Sequence, residues 1–199
     1  RPITPYLNEL SKNGITFDYN NTMPFSVSGK LNAGKFELAG DISSQFITGL
    51  LLALPLLDGN SEIILTSRLE SKPYVNLTID CLSQFGIKIT ENEKGYYVEG
   101  NQTFKPNNVT VEGDYSQAAF FYVANALGSD IKIDNLNPNS LQGDKKILEI
   151  INEISYNNKR LKAFEIDASD IPDIVPILAV LASFCDGQSR IYNVARLKI

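Results

Sequence analysis

Helical patterns that end at a glycine recur along the chain at a fixed spacing. Hydrophobic and polar positions alternate with helical periodicity from Tyr6 to Lys12, and the pattern stops at Gly14. A similar pattern runs from Pro73 to Phe85 and stops at Gly86, which lies 72 residues later (86 − 14). Glycine just after a helical pattern is a common helix terminus. The spacing therefore predicts an internal repeat.

A second, more apolar helix repeats at nearly the same distance. The segment after Gly40 opens one such helix, which runs to Leu57, and the segment after Gly113 opens another, 73 residues on (113 − 40). Each helix ends at a glycine that is followed by a β-branched stretch, and a third copy begins near Asp170. The glycines are Gly59, Gly128 and Gly187, and the predicted strands are Ile63–Leu65, Ile131–Ile133 and Arg190–Tyr192.

Strands and helices are mixed within each copy. Lys88–Thr90 and Tyr96–Val98 flank the turn-forming stretch Asn92–Gly95, which predicts a hairpin. In the third copy, the helix from Lys145 to Ile154 is followed by Ser155–Asn158 instead of a glycine and a strand. We expect either a truncated hairpin there or an omitted segment. The pattern predicts a mixed α/β fold of the α+β repeat type.

The repeat also predicts a division of the chain into two parts. Residues 1–110 contain the end of one repeat unit and one full unit, and residues 111–199 contain the incomplete remainder. We expect the first range to belong to one lobe and the second range to belong to another. The join is expected near residues 107–111.

Composition and charge exclude several classes of protein. With 43% hydrophobic and 21% charged residues the chain is neither disordered nor a coiled coil. The longest apolar stretch, Phe46 to Leu57, is too short to span a membrane, and Arg1–Pro5 has no signal-peptide character. The net charge is −5 and the densest basic cluster is Lys159–Lys162, so we expect no nucleic-acid or membrane partner and a cytoplasmic location.

The residue types present limit the available chemistry. Histidine is absent, which removes histidine bases, Ser/His triads and the commonest zinc ligand, so we predict no metal site. Chemistry must use carboxylates, Arg, Lys or hydroxyl groups. Cys81 and Cys185 are about a hundred residues apart on apolar helical stretches, which favours reduced core thiols over a disulfide.

Serines stand at two predicted helix starts. Ser43 and Ser44 precede an apolar helix, where backbone N–H groups and the helix dipole attract an anion such as phosphate. Gln45 adds further donors, and Ser71 precedes Pro73 at a second helix start. The alternative is that Ser43 or Ser44 acts only as an N-cap.

A polar residue recurs 14 positions before each terminal glycine of the apolar helices. Asp173 precedes Gly187 by 14 residues, as Asp114 precedes Gly128 and Gln45 precedes Gly59. Asp173 follows Ile171–Pro172 at the start of a helix and is either an acid that complements the helix dipole or a functional carboxylate. Asp114 is interpreted as a cap.

Five short motifs together resemble the 5-enolpyruvylshikimate-3-phosphate synthase family in their order and spacing. They are Ser43–Phe46, Ser71–Tyr74, Glu112–Asp114, Leu141–Asp144 and Asp170–Asp173. The resemblance covers the whole chain but about half of the family's length. It implies a two-lobed fold of six repeated α/β units, three per lobe, with shikimate 3-phosphate and phosphoenolpyruvate bound between the lobes.

The resemblance also implies roles for particular residues. By resemblance, the substrate-binding residues for shikimate 3-phosphate are Ser43, Ser44, Gln45, Ser71 and Tyr74. Arg1 matches an arginine that holds phosphoenolpyruvate, and Asp173 matches a carboxylate beside the reacting 5-hydroxyl. Asn193 and Arg196 lie near substrate-binding positions of the family and are given no role.

The implied reaction transfers the enolpyruvyl group of phosphoenolpyruvate to shikimate 3-phosphate and releases phosphate, with no cofactor. The family's Lys-Glu segment would follow Ile199 and its first substrate segments would precede Arg1, so the 199-residue chain alone is expected to be inactive. Two alternatives stay open. One is the related enolpyruvyl transferase for UDP-N-acetylglucosamine, which lacks the pair of serine motifs, and the other is a non-catalytic phosphate-binding module.

Overall fold

The computed structural model describes residues 3–156 and 160–198. The chain divides into two compact units, Arg1–Asn108 and Val109–Ile199, and each has its own hydrophobic core. That these units are parts of two lobes stays a prediction.

The first unit is built from three helices and six strands within its described residues. In chain order they are α1 (Thr4–Lys12), β1 (Ile15–Asp18), β2 (Ser26–Gly29), β3 (Lys35–Leu38), α2 (Ser44–Ala53), β4 (Ser61–Leu65), α3 (Lys72–Gln84), β5 (Ile89–Asn92) and β6 (Gly95–Val98). A 3₁₀ turn, Leu54–Leu56, continues α2.

Four of these strands form one mixed sheet in the order β3-β4-β6-β5. β3 and β4 are parallel, so the chain crosses from one to the other through α2, while the other neighbours are antiparallel. The predicted hairpin is confirmed as β5–β6, with Glu93 and Lys94 in the turn. β1 and β2 form a separate antiparallel ribbon.

Apolar side chains of the sheet and of two helices make the core of the first unit. Phe36 and Ile63 from the parallel strands and Ile47 and Leu51 from α2 are almost fully buried, and Val75 comes from α3. Full burial of one such side chain contributes about 1.5 to 3 kcal/mol to stability. This core fixes the beginnings of α2 and α3 relative to the sheet.

The second unit has three helices around its core and only short strands among its described residues. They are α4 (Tyr115–Ala126), α5 (Lys146–Ile154), β7 (Ser155–Tyr156), β8 (Arg160–Leu161), β9 (Glu165–Asp167), α6 (Val175–Ser183) and β10 (Arg190–Tyr192). β9 and β10 are parallel and are connected through α6, which repeats the arrangement of β3, α2 and β4. Short 3₁₀ turns precede α5 and α6.

The five glycines that were expected to end helices all adopt positive φ angles. The angles lie between 81° and 116° at Gly14, Gly59, Gly86, Gly128 and Gly187. Side chains disfavour this region, and glycine reaches it without steric cost. The predicted helix ends are therefore confirmed.

The prediction of a strand at Ile131–Ile133 is wrong. This segment is not in a sheet, and the side chain of Asn125 takes up the backbone groups of Ile131 instead. The Asn125 amide donates to Ile131 O at 2.8 Å and accepts from Ile131 N at 2.7 Å. A β-branched stretch becomes a strand only where a partner strand lies beside it.

In the third copy, α5 leads directly into the hairpin β7–β8, whose paired strands have two residues each. Residues 157–159, which join these strands, lie outside the described residues, so the choice between a truncated hairpin and an omitted segment stays a prediction.

The cysteines are only partly as expected. Both are free thiols, but Cys81 is exposed and Cys185 is half-buried, so the expectation that both lie in the core is wrong. Cys81 precedes Leu82, which is the α3 residue that points into the core, and therefore lies beside the buried stripe. Among the described residues, none of the helices is both long enough and apolar enough to cross a bilayer.

Gln142 ties the beginning of α4 to the residues before it. Its side-chain nitrogen donates to Glu112 Oε1 at 2.8 Å and to Gly113 O at 2.9 Å, and its oxygen accepts from Tyr115 N at 2.7 Å. Burial alone would raise the pKa of Glu112, but hydrogen bonds from Ser140 and Gln142 outweigh it, and the pKa is lowered from its ordinary value.

We predict that Gln142→Ala lowers the free energy of unfolding by about 1 to 3 kcal/mol at pH 7, because it removes three part-buried hydrogen bonds, each of which contributes about 0.5 to 1.5 kcal/mol. A carboxyl with a lowered pKa in the folded state stabilises above its unfolded pKa, and this contribution is lost as pH falls through the lowered pKa. The loss caused by Gln142→Ala should therefore shrink at about pH 3. Urea unfolding of the wild type and the variant at both pH values measures this loss of unfolding free energy.

Gln84→Ala is the matched control, because Gln84 makes a single exposed hydrogen bond to Asp80 on α3. Its effect should be small at both pH values. Equal losses for the two variants at pH 7 would contradict the role given to Gln142.

Candidate functional site

Three buried serines stand at the beginnings of α2 and α3. Ser43 is the residue before α2 and Ser44 is its first residue, while Ser71 is the residue before α3. Their exposed fractions are 1%, 6% and 1%. Serine side chains are mostly exposed to solvent in proteins, so burial of three of them at two helix beginnings is unusual.

The sheet brings the two helix beginnings to the same edge. β3 and β4 are parallel neighbours, with Leu38 paired to Leu65 at their carboxyl ends. The β3–α2 loop, residues 39–43, and the β4–α3 loop, residues 66–71, both leave that edge. In parallel α/β sheets, ligands bind outside the carboxyl ends of the strands.

Two backbone hydrogen bonds join these loops directly. Thr66 N donates to Leu38 O at 2.9 Å, and Glu70 N donates to Gly40 O at 3.1 Å. The structure thus brings the segments that carry Ser43 and Ser71 together into one rim.

The interpretation of Ser43 as only a helix cap is not supported by the geometry. Neither Ser43 nor Ser71 makes the side-chain hydrogen bond to its own helix that an N-cap residue ordinarily makes. Asp114 shows the contrast at the start of α4, because its carboxylate accepts from Ser116 N at 2.7 Å and from Gln117 N at 3.4 Å. The prediction that Asp114 is a cap is confirmed.

The electrostatics of the two helix beginnings favour an anion. The first turns of α2 and α3 contain no acidic residue, so the positive ends of both helix dipoles are not neutralised from within the helix. The first four N–H groups of a helix also have no intrahelical acceptor. Two such ends on one rim provide donors and positive potential for a phosphate group.

Ser71 has an unusual backbone conformation. Its φ of 56° and ψ of 36° lie in the left-handed region. A non-glycine residue there costs about 1 to 3 kcal/mol and tends to occur at functional sites. Its carbonyl nevertheless accepts from Tyr74 N at 3.1 Å, so the strained residue starts the helix.

Gln45 and Tyr74 extend the rim outward. Gln45 is exposed in the first turn of α2, and Tyr74 is half-buried in the first turn of α3. Both side chains therefore belong to the two helix beginnings that carry the serines. Arg1, the remaining predicted substrate residue, lies outside the described residues.

A cavity of about 240 Å³ lies between the β4–α3 loop and the turn of the β5–β6 hairpin. Lys72, the first residue of α3, crosses to Glu91 of the hairpin with a distance of 2.7 Å between Nζ and Oε1. Burial, followed by the charge of Glu91, raises the pKa of Tyr96 in this cavity to about 12. The Tyr96 hydroxyl therefore stays protonated at neutral pH.

Asp173 belongs to the second unit. It is exposed and lies in the 3₁₀ turn Pro172–Ile174, which leads into α6. This turn follows β9, whose parallel partner is β10, so Asp173 precedes its helix much as Ser43 precedes α2. Asp173 and the serines belong to different units.

Sequence reasoning missed an interaction at the carboxyl ends of β9 and β10. Asn193 Nδ2 donates to Asp167 Oδ2 at 2.8 Å, and Asp167 Oδ1 accepts from Ser169 N at 2.9 Å. Asn193 has a φ of 58°, a conformation that asparagine tolerates better than most residues. No sequence signal connects residues 26 positions apart in this way. The side chain of Arg196 is outside the described part of the chain.

The described residues contain no cluster of three or more acidic, cysteine or histidine side chains that could hold a metal ion. The first turns of α2 and α3 offer hydroxyl and amide groups in the first unit, and the turn before α6 offers the carboxylate of Asp173 in the second unit. Such groups can bind a phosphorylated polyol and exchange a proton with one of its hydroxyl groups.

Comparisons with known proteins identify the family of the chain. The family model for EPSP synthase (3-phosphoshikimate 1-carboxyvinyltransferase) matches residues 1–199. A protein of Clostridium botulinum (strain Eklund 17B / Type B) named 3-phosphoshikimate 1-carboxyvinyltransferase is 44% identical, over 100% of this chain and 49% of its own length. A protein of the same name from Methanococcus maripaludis (strain C5 / ATCC BAA-1333) is 43% identical over 97% of this chain and 50% of its own length.

Solved structures show the same fold. The EPSP synthase of Acinetobacter baumannii superposes with a TM-score of 0.75 at 20% identity, over 100% of this chain and 50% of the other. The enolpyruvyl transferase NikO of Streptomyces tendae superposes with a TM-score of 0.68 at 16% identity, over 96% of this chain and 52% of the other. The chain spans about half the length of the curated relatives that it matches. With its whole length matched by the family model, the chain belongs to the EPSP synthase family.

Proposed function

We propose that this chain is part of an enzyme that transfers the enolpyruvyl group of phosphoenolpyruvate to the 5-hydroxyl of shikimate 3-phosphate. This reaction belongs to the shikimate pathway of aromatic amino acid biosynthesis. The observation that carries the proposal is the rim of the first unit, where two helix beginnings without acidic residues present buried serines at the carboxyl ends of adjacent parallel strands.

The phosphate of shikimate 3-phosphate is assigned to this rim. A phosphate monoester carries about −1.5 to −2 charges at neutral pH and three strong acceptor oxygens. Ser43, Ser44 and Ser71 provide hydroxyl donors, and the first N–H groups of α2 and α3 provide more. Hydrogen bonds to a charged group contribute about 1.5 to 3 kcal/mol each.

Gln45 and Tyr74 are assigned to the carbon ring of the same substrate. Gln45 has both donor and acceptor atoms, which suit the ring hydroxyl groups, and Tyr74 offers an aromatic face and a hydroxyl group. Arg1 is assigned to the carboxylate or phosphate of phosphoenolpyruvate, which its planar guanidinium can bind with two parallel hydrogen bonds.

Asp173 is assigned to proton transfer at the 5-hydroxyl group. The hydroxyl oxygen adds to C2 of phosphoenolpyruvate while a proton adds to C3, and loss of phosphate with a proton from C3 then restores the double bond. The hydroxyl proton must leave as the new C–O bond forms. An exposed carboxylate at a helix start can accept that proton. We further propose that the two units belong to two lobes and that the protein works in the cytoplasm without nucleic-acid or membrane partners.

The phosphate assignment predicts that Ser44→Ala weakens the binding of shikimate 3-phosphate at least tenfold, or about 1.4 kcal/mol. The buried hydroxyl group of Ser44 is lost while the helix remains. Calorimetric titration of the 199-residue chain measures the change. Ser28→Ala, in the exposed strand β2, is the matched control and should bind as the wild type does. Equal affinity for Ser44→Ala and wild type would leave the serine only a structural role.

The backbone of Ser71 predicts that two substitutions separate binding from stability. Ser71→Gly and Ser71→Ala both remove the hydroxyl group, so both should weaken substrate binding. Glycine relieves the left-handed strain but costs about 0.5 to 1 kcal/mol of chain entropy, so its stability should stay near wild type. Alanine loses the same hydroxyl group and keeps the strain, so Ser71→Ala should be less stable than Ser71→Gly, by about 1 kcal/mol. Titration and urea unfolding measure the two quantities, and tight binding by Ser71→Gly would exclude the hydroxyl from the site.

The role of Asp173 predicts a large loss of turnover with little loss of stability. In a longer polypeptide that contains this chain and is active, Asp173→Ala should reduce turnover by about 10² to 10⁴-fold. An acid at a helix start contributes only about 0.3 to 1 kcal/mol to stability. Phosphate release from phosphoenolpyruvate measures turnover, with the 199-residue chain alone, expected to be inactive, as the blank. Near-normal turnover by the variant would exclude this carboxylate.

A further inference from the structure

Two side chains connect the β3–α2 loop to the β4–α3 loop. Ser67 Oγ donates to Asp41 Oδ1 at 2.6 Å and accepts from Asp41 N at 3.3 Å. The pair therefore exchanges hydrogen bonds in both directions across the rim. Asp41 lies two residues before Ser43, and Ser67 lies four residues before Ser71.

Gly40 brings the same two loops into close backbone contact. A Cβ atom at this position would lie 2.8 Å from Leu69 Cα and 2.9 Å from Arg68 O. These are backbone atoms of the opposite loop, so a larger residue cannot be accommodated by moving a side chain. Any substitution at Gly40 must shift one loop relative to the other.

The second unit contains the same close approach but uses its aspartate differently. A Cβ atom on Gly113 would lie 2.8 Å from Asn135 O, so Gly113 matches Gly40. Asp114 lies directly before α4, and its carboxylate caps that helix. Asp41 is followed by two more residues before α2 begins at Ser44, and its carboxylate contacts Ser67 instead.

We propose that Gly40, Asp41 and Ser67 are positioning residues that fix the spacing between the serines of α2 and the serine of α3. They join the two loops, and this spacing determines whether both helix beginnings can reach one phosphate group. The proposal rests on the proposed function, because it assumes that shikimate 3-phosphate is the ligand of this rim.

The negative charge of Asp41 allows an electrostatic role of this residue to be distinguished from a positioning role. If Asp41 acted on the ligand only through its negative charge, removing that charge would strengthen the binding of a phosphate anion. If Asp41 positions the loops, Asp41→Ala weakens binding although a negative charge is lost. Asp41→Asn keeps an oxygen that can accept from Ser67 and removes the charge, so it should restore the affinity.

The experiment is an NMR titration of the 199-residue chain with shikimate 3-phosphate, and with inorganic phosphate as a second probe. Asp41→Ala and Ser67→Ala should each weaken binding about threefold to tenfold, because a displaced donor loses its hydrogen bond to the charged group. Gly40→Ala should weaken it further, and Asp41→Asn should bind at least as tightly as wild type. The affinities of the variants for inorganic phosphate should fall in the same order, because the phosphate group is the part of the substrate that contacts both helix beginnings.

Matched variants separate positioning from general loss of stability. Gly113→Ala creates the corresponding clash in the second unit, and Asp58→Ala removes an exposed carboxylate near the other end of α2. Neither should weaken binding. If Asp41→Ala and Ser67→Ala bind as tightly as wild type while Ser44→Ala does not, the positioning role is overturned and the proposed function stands.

Amide hydrogen exchange tests, without any ligand, whether Asp41 and Ser67 hold the two loops together. Glu70 N donates to Gly40 O across the rim, so its exchange should quicken in Ser67→Ala and Asp41→Ala without any ligand. If the wild-type chain does not bind shikimate 3-phosphate, the proposed function fails and the positioning role fails with it. Unchanged exchange would overturn the connection between the loops themselves.

Discussion

The parallel pairing of β3 and β4 is the constraint on which the candidate site depends. Parallel neighbours require a crossover, so α2 must begin beyond the carboxyl end of β3, and α3 begins beyond the same end of β4. The apolar α2 packs its buried residues under this sheet, which fixes its start. The meeting of two helix beginnings is therefore a consequence of strand order, and under the proposed function the serines determine what they bind.

The two units show how one scaffold produces two kinds of helix beginning. In the second unit Asp114 neutralises the start of α4 with its own carboxylate. In the first unit two residues separate Asp41 from α2, so the acid lies outside the helix and the serines take the first positions. A phosphate group and a capping carboxylate compete for the same N–H groups. Only the helix beginning of the first unit, which has no capping carboxylate, therefore suits an anionic ligand.

The sequence predicted features that local chemistry determines. Helix-ending glycines were found because positive φ is a demand on single residues, and the β5–β6 hairpin was found because its turn is local. The strand expected at Ile131–Ile133 failed because strand formation depends on a partner. The contact between Asp41 and Ser67 joins residues 26 positions apart, and neither its existence nor the left-handed Ser71 has a signature in the sequence.

The division of charge between the units has a chemical reason under the proposed function. Two unit charges 4 Å apart interact by about 4 kcal/mol at an effective dielectric constant of 20. A carboxylate placed among the phosphate donors would therefore repel the ligand and raise its own proton affinity. The first turns of α2 and α3 contain no acid, whereas the turn before α6 carries Asp173. Under the proposed function, the absence of acids from these two first turns suits the first unit to an anion, and the carboxylate of Asp173 suits the second unit to accepting a proton.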